Sequence, residues 1–168
     1  MPDSNHRSAS DDILDDELSH RVIGCAIKVH RVLGNAPLES AYQGCLEHEL
    51  RKSGMSVASQ VTQPLIYEGI KIELAYRLDL IVNDELIVEL KTVTQLLPVH
   101  DAQMLAYLRL SGIERGLLMN FHAHPLVKGI KRFVLTRSSP KFPVVPAVPH
   151  QGFWFSPRTF AHPSRSSR

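Results

Sequence analysis

The stretch AYRLDLIVNDELIVELKTV, Ala75 to Val93, sets two apolar runs either side of Asn83-Asp84-Glu85. Asn and Asp tolerate turn backbone, so the break predicts a turn and the flanking runs a β-hairpin. Side chains alternate faces along a strand. Leu78, Leu80 and Val82 are therefore expected on one face, with Arg77, Asp79 and Ile81 on the other. On the return strand Leu86, Val88 and Leu90 oppose Ile87, Glu89 and Lys91 in the same way. A two-residue loop would pair Leu78 with Glu89 and mix apolar with charged. A three-residue loop pairs Val82 with Leu86 and Leu80 with Val88, and the hydrophobic pattern selects it. That register also sets Asp79 opposite Glu89.

Like charges directly across a hairpin destabilise it. Unless one carboxyl keeps a proton, a positive group belongs between them. Lys91 shares the face of Glu89, and Arg77 should lie across from it, so a salt-bridged cluster is one answer. A divalent metal on hard oxygen ligands is the other. Spacing leaves both open.

The rest of the chain supplies a frame. Its 168 residues, 43% hydrophobic and 21% charged, suit one domain with a real core. No apolar run approaches the roughly 20 residues of a bilayer span. The polar N-terminus lacks a signal-peptide core, so a soluble cytoplasmic protein, not one held in a membrane, is expected. Cys25 and Cys45 sit in helix-like patterns without CxxC spacing and read as buried free thiols. Residues 1–19 carry six acids against Arg7, and residues 136–168 carry five bases and no acid. These ends cancel, which leaves the centre only modestly basic and without the dense charge of a strong nucleic-acid binder.

Leu14, Leu18, Val22, Ala26, Val29 and Leu33 recur at helical spacing and stop at Gly34. A second helix is predicted from Pro37-Leu38 to Gly54. Strands are predicted over SVASQVTQPLIYEG, IKIELAYRLDLIV and ELIVELKTV, then a helix over PVHDAQMLAYLRLSG, then strands in RGLLMNF and KGIKRFVL. The order α-α-β-β-β-α-β-β implies an α/β sheet with helices packed on it. Residues 1–10 read as disordered, 11–135 as the folded domain, and 136–168 as a Pro/Ser-rich basic tail, extended or disordered.

Two more groups complete the set. Glu39 stands in the first turn of the second helix with Tyr42 after it, where a carboxylate suits the helix dipole and a tyrosine the core. Gln103 and Tyr107, four apart on the later helix, project from one face. His30, His100 and the pair His122/His124 are further candidates to which the spacing assigns no firm role.

In chain order, Glu39 on a helix, then Asp79, then Glu89-x-Lys91 on a hairpin resembles the PD-(D/E)XK nuclease superfamily. Gln103-x-x-x-Tyr107 is similar to the QxxxY motif of its RecB-like branch. VHRVLG, LESAY, YRLDLIV, VELKTV, LLPVHDAQMLAYLRLSG and GLLMNF are similar to segments of the small bacterial GxxExxY proteins, although Ala36 stands where that name has Gly. The resemblance spans about residues 20–135. It implies a restriction-endonuclease-like core (α-β-β-β-α-β) with an extra N-terminal helix and a further C-terminal strand.

The resemblance also implies a metal-dependent nuclease. Asp79 and Glu89, with the Leu90 carbonyl and Glu39, would bind Mg²⁺ or Mn²⁺. Lys91 would orient the nucleophile and offset charge, and Gln103 and Tyr107 would position Lys91, the water or the substrate backbone. The substrate would be DNA or RNA, and cutting both strands of a duplex would take a homodimer or a second turnover. The alternative is a non-catalytic module binding nucleic acid or protein on the same scaffold.

Overall fold

A computed structural model describes residues 16–34 and 38–135, with Leu74 and Ala75 as backbone only. The two terminal segments read as disordered or extended, and Ala36, lie outside the described residues.

Helix α1, Glu17–Leu33, starts where Asp16 caps it, one carboxylate oxygen accepting the Ser19 N–H at 2.8 Å and the other its hydroxyl at 2.9 Å. Burial alone would raise the pKa of Asp16, but these bonds and the Arg115 charge hold it below its ordinary value. Val22, Cys25, Ala26 and Val29 form its buried stripe, and Gly34 at φ +60° ends it. Helix α2, Glu39–Lys52, buries Tyr42, Leu46 and Leu50.

A five-stranded sheet follows, in the order β1-β2-β3-β4-β5: Val57–Tyr67, Ile70–Val82, Leu86–Lys91, Arg115–Asn120 and Ile130–Val134. All neighbours are antiparallel except β3 and β4, joined in parallel through helix α3, Pro98–Ser111. A short 3₁₀ turn, Leu126–Gly129, leads into β5. Helices α1 and α2 cover one face of the sheet, where Leu80, Val82, Val88, Leu90, Leu117 and Met119 join their apolar stripes. Helix α3 covers the other, with Met104, Tyr107 and Leu108 against Leu78, Ile87 and Leu118. Helix and strand touch there: a Cβ on Gly116 would lie 2.5 Å from the Met104 sulfur. This α/β architecture, with its added N-terminal helix and C-terminal strand, is the restriction-endonuclease-like arrangement.

The β2–β3 register is Val82↔Leu86, Ile81↔Ile87 and Leu80↔Val88, around the three-residue loop. Asn83 and Asp84 take φ of +51° and +56°, left-handed backbone that these two residue types tolerate, and the Asn83 carboxamide accepts the Ser56 N–H at 2.9 Å.

One expectation fails. Leu78 does not share a face with Leu80 and Val82 but packs under α3. In β1, Val57 and Val61 likewise fall in opposite layers despite their even spacing. Both strands change parity at the same place, where Gln60 adopts φ +52° and the Gln60/Asp79 pair drops out of the ladder that runs from Val57↔Val82 to Gln63↔Tyr76; a separate register shift follows between Gln63 and Leu65. Strict alternation holds only for unbroken strands, and this irregularity inverts everything beyond it.

Candidate functional site

The break at Asp79 frees its carboxylate to replace a backbone partner. Its Oδ2 accepts the Leu90 N–H at 3.0 Å, while Gln60 Nε2 approaches Oδ1 at 3.4 Å. Gln43 of α2 donates to the Asp79 carbonyl at 3.3 Å and accepts from Gln60 at 2.8 Å. Asp79 is thus clamped in the gap between β2 and β3.

Glu89 lies beside it, 2% exposed. Lys91 Nζ donates to its Oε1 at 2.6 Å, but Oε2 is buried and, among the described residues, has no donor. Burial, and then the Asp79 charge, push its pKa up to about 7 despite the ammonium. Partial burial works against the charge on Lys91, yet Glu89, with Glu39 and Asp79, holds it above its ordinary value, so it remains an ammonium. Glu39, the first residue of α2, reaches the same place. Burial and then Asp79 raise its pKa, against the pull of Lys91 and of the Thr92 backbone N–H. Three carboxylates and one ammonium therefore share each other's field, on residues up to 52 positions apart in the chain.

The remaining sequence-chosen residues are placed as follows. Gln103 Nε2 donates to the Tyr107 hydroxyl at 2.5 Å, which donates to the Arg77 carbonyl at 3.1 Å. The bonds of this pair thus brace β2 rather than Lys91, though burial and the Glu89 charge raise the Tyr107 pKa, so the phenol borders the site. The Leu90 side chain is in the core, and its backbone flanks Asp79. Arg77, foreseen across from Lys91, is exposed and, among the described residues, forms no ion pair with either carboxylate.

His30 is buried, its Nε2 3.1 Å from the Phe121 carbonyl and its ring against Tyr42 and Phe121. His100 accepts the Leu97 N–H and caps α3. His122 and His124 are exposed. Cys25 is buried as expected, whereas Cys45 is exposed on the outer side of α2.

Sequence reasoning missed three residues. Gln43 and Gln60 hold Asp79, and Asn120 holds the chain after Lys91. Asn120 Oδ1 accepts the N–H groups of Val93 and His122 at 3.1 and 3.2 Å, and its Nδ2 donates to the Val93 carbonyl at 2.7 Å. Its neighbour in space, Gly129, leaves no room for more: a Cβ there would lie 2.5 Å from the Asn120 carbonyl oxygen. The pairing of Lys91 with Asn120 across parallel strands was the only available signal, and it needs the sheet order.

Among the described residues no three His, Cys, Asp or Glu side chains close into a ready-made metal cage. The preformed element is smaller: two adjoining carboxylates, one with a buried oxygen that has no hydrogen-bond partner among the described residues. The family model of the PD-(D/E)XK nuclease superfamily matches residues 16–133. The chain belongs to that superfamily. The match takes in both helical layers and the sheet of this PD-(D/E)XK domain through Phe133, and Glu39, Asp79, Glu89 and Lys91 all fall inside it. No curated protein and no solved structure matches the chain significantly. No helix among the described residues is long and apolar enough to cross a membrane.

Proposed function

We propose that this chain is a nuclease that hydrolyses phosphodiester bonds of DNA or RNA with Mg²⁺ or Mn²⁺ at Asp79 and Glu89. The observation that carries the reading is the Glu89 carboxylate, buried beside Asp79 with one oxygen on Lys91 and the other, among the described residues, unpartnered. A buried acceptor facing a second acceptor costs stability, and a cation reverses that. The donors are hard oxygens, and Mg²⁺ is commonly held by one or two carboxylates with its remaining positions on water and phosphate. Asp79 and Glu89 would hold the ion, with the Leu90 carbonyl and Glu39 at its side. Bound there, it would acidify a water and offset charge on the phosphoryl oxygens.

The chain's own residues would do the rest. Lys91, kept charged by its neighbours, is unsuited to removing a proton and suited to stabilising a phosphate as its negative charge grows. Asp79 is fixed by the Leu90 N–H and cannot swing away. Gln103 and Tyr107 border the site and keep β2 in place.

The test is cleavage of single- and double-stranded DNA and RNA with Mn²⁺ or Mg²⁺, against chelator. Chelation should abolish cleavage, and Asp79→Ala and Lys91→Ala should each lower the rate on the order of a hundredfold or more. Cleavage that persists with chelator, or survives both substitutions, refutes the reading. Binding of nucleic acid without cleavage under any ion would leave the scaffold as a recognition module.

A further inference from the structure

We propose that Gln60 is a positioning residue held in a strained conformation for the sake of Asp79. Its backbone opens the β1–β2 ladder there, and its amide, tied to Gln43, fixes the Asp79 carboxylate, although the fold is less stable for it. The use of that carboxylate for a cation rests on the nuclease reading. Gln60 lies within β1 with φ +52°. Glu68, Asn83 and Asp84, the other non-glycine residues at positive φ among the described residues, all lie in turns. A left-handed residue with a Cβ is strained, and glutamine lacks the short side chain that lets asparagine or aspartate tolerate it. The strain falls opposite Asp79, at the one position between Val57↔Val82 and Gln63↔Tyr76 where the ladder has no pair. Such outliers persist only where the surrounding structure holds them, and they gather at functional sites.

Three polar contacts close a ring around this position. Gln60 Nε2 donates to Gln43 Oε1 at 2.8 Å and approaches Asp79 Oδ1 at 3.4 Å, while Gln43 Nε2 donates to the Asp79 carbonyl at 3.3 Å. Two of the three are long, and Gln60 is exposed. Bonds of this kind exchange with water and stabilise a fold little, so they do not offset the backbone strain. Their effect is geometric. Asp79 Oδ2 accepts the Leu90 N–H at 3.0 Å only while the carboxylate keeps its orientation, and the ring fixes that orientation from the Oδ1 side. Gln43 follows Glu39 by four residues on α2, so the two project from one face of that helix. The ring thereby ties the helix that carries Glu39 to the strand that carries Asp79. It sets the spacing of the carboxylates that a cation would share.

Two substitutions separate backbone from amide. Gln60→Ala keeps the left-handed strain and removes the amide; Gln60→Gly removes both. In chelator, NMR should show the Leu90 N–H exchanging about tenfold or more faster in both variants, with Ile87 and Val88 no faster than in wild type. Thermal unfolding should move the other way for glycine. Gln60→Gly should melt about 2–4 °C above wild type, and Gln60→Ala at or just below it. Gln43→Ala should speed Leu90 exchange as much, and the Gln43→Ala/Gln60→Ala double variant no further, because both act through one ring. Calorimetry should show Mn²⁺ bound about tenfold more weakly by both Gln60 variants. Unchanged Leu90 exchange in Gln60→Ala overturns the proposal. So does a Gln60→Gly no more stable than wild type, or wild-type Mn²⁺ affinity in both variants. A wild-type chain that binds no Mn²⁺ refutes the nuclease reading instead, and the exchange and melting results still decide the role of Gln60.

Discussion

Glu89 should make this protein less stable as pH rises through neutrality, and Glu89→Gln should remove that dependence. The folded carboxyl has a pKa of about 7, against an ordinary 4.5. The folded state holds the proton more tightly than the unfolded chain does. Its contribution is therefore fully present below about pH 4.5 and is lost as pH climbs through about 7. Roughly 2.5 pH units at 1.36 kcal/mol each gives a loss on the order of 3 kcal/mol between pH 5 and 8. For a domain of this size that is roughly 10 °C in Tm. Glu39, also raised, adds a smaller slope of the same sign that the variant keeps. Lys91 is held above its ordinary value, so its contribution declines only at alkaline pH and leaves the window clear. Thermal unfolding at pH 5, 6, 7 and 8 in chelator, on wild type and Glu89→Gln, measures the effect. Added Mn²⁺ competes with the proton, so it should stabilise wild type more at pH 8 than at pH 6. A wild-type Tm that stays flat from pH 5 to 8, or a variant with the full wild-type slope, would refute the reasoning.

Two further substitutions probe the supports of the site. Asn120→Ala removes three hydrogen bonds to the chain around Lys91 and leaves the Val93 backbone groups unpaired; a loss of about 2–3 kcal/mol in urea unfolding is expected, with reduced cleavage if Lys91 moves. Tyr107→Phe removes the bond to the Arg77 carbonyl and the acceptor of Gln103. It should cost about 1 kcal/mol in the same assay, with the pH slope from Glu89 retained.

The hairpin was legible because two independent constraints, loop chemistry and the apolar pattern, agree on Val82↔Leu86. The helices were legible from their stripes and their closing glycines, Gly34, Gly54 and Gly112. The inversion of Leu78 was not. It depends on Gln60 adopting a left-handed conformation opposite Asp79, and glutamine carries no sequence signature for that. Gln43 and Asn120 were hidden for a related reason, since a polar side chain announces its partner only once distant strands and helices are assembled. Cys45 illustrates the limit of periodicity: it occupies an apolar-looking slot of α2, yet it is exposed, beside a groove that Val29, Val32 and Leu33 of α1 also line.

The parity change at Gln60 and Asp79 ties the acidic pair and the core to one reading frame. A single-residue insertion or deletion between Asp79 and Leu80 would exchange the faces of Leu80 and Val82, and one between Leu86 and Glu89 would turn Glu89 toward α2. Length variation among descendants of this sequence should therefore avoid the ten-residue interval from Asp79 to Glu89. It should gather instead near Pro64 and the turn at Glu68-Gly69, where the two strands already run out of step.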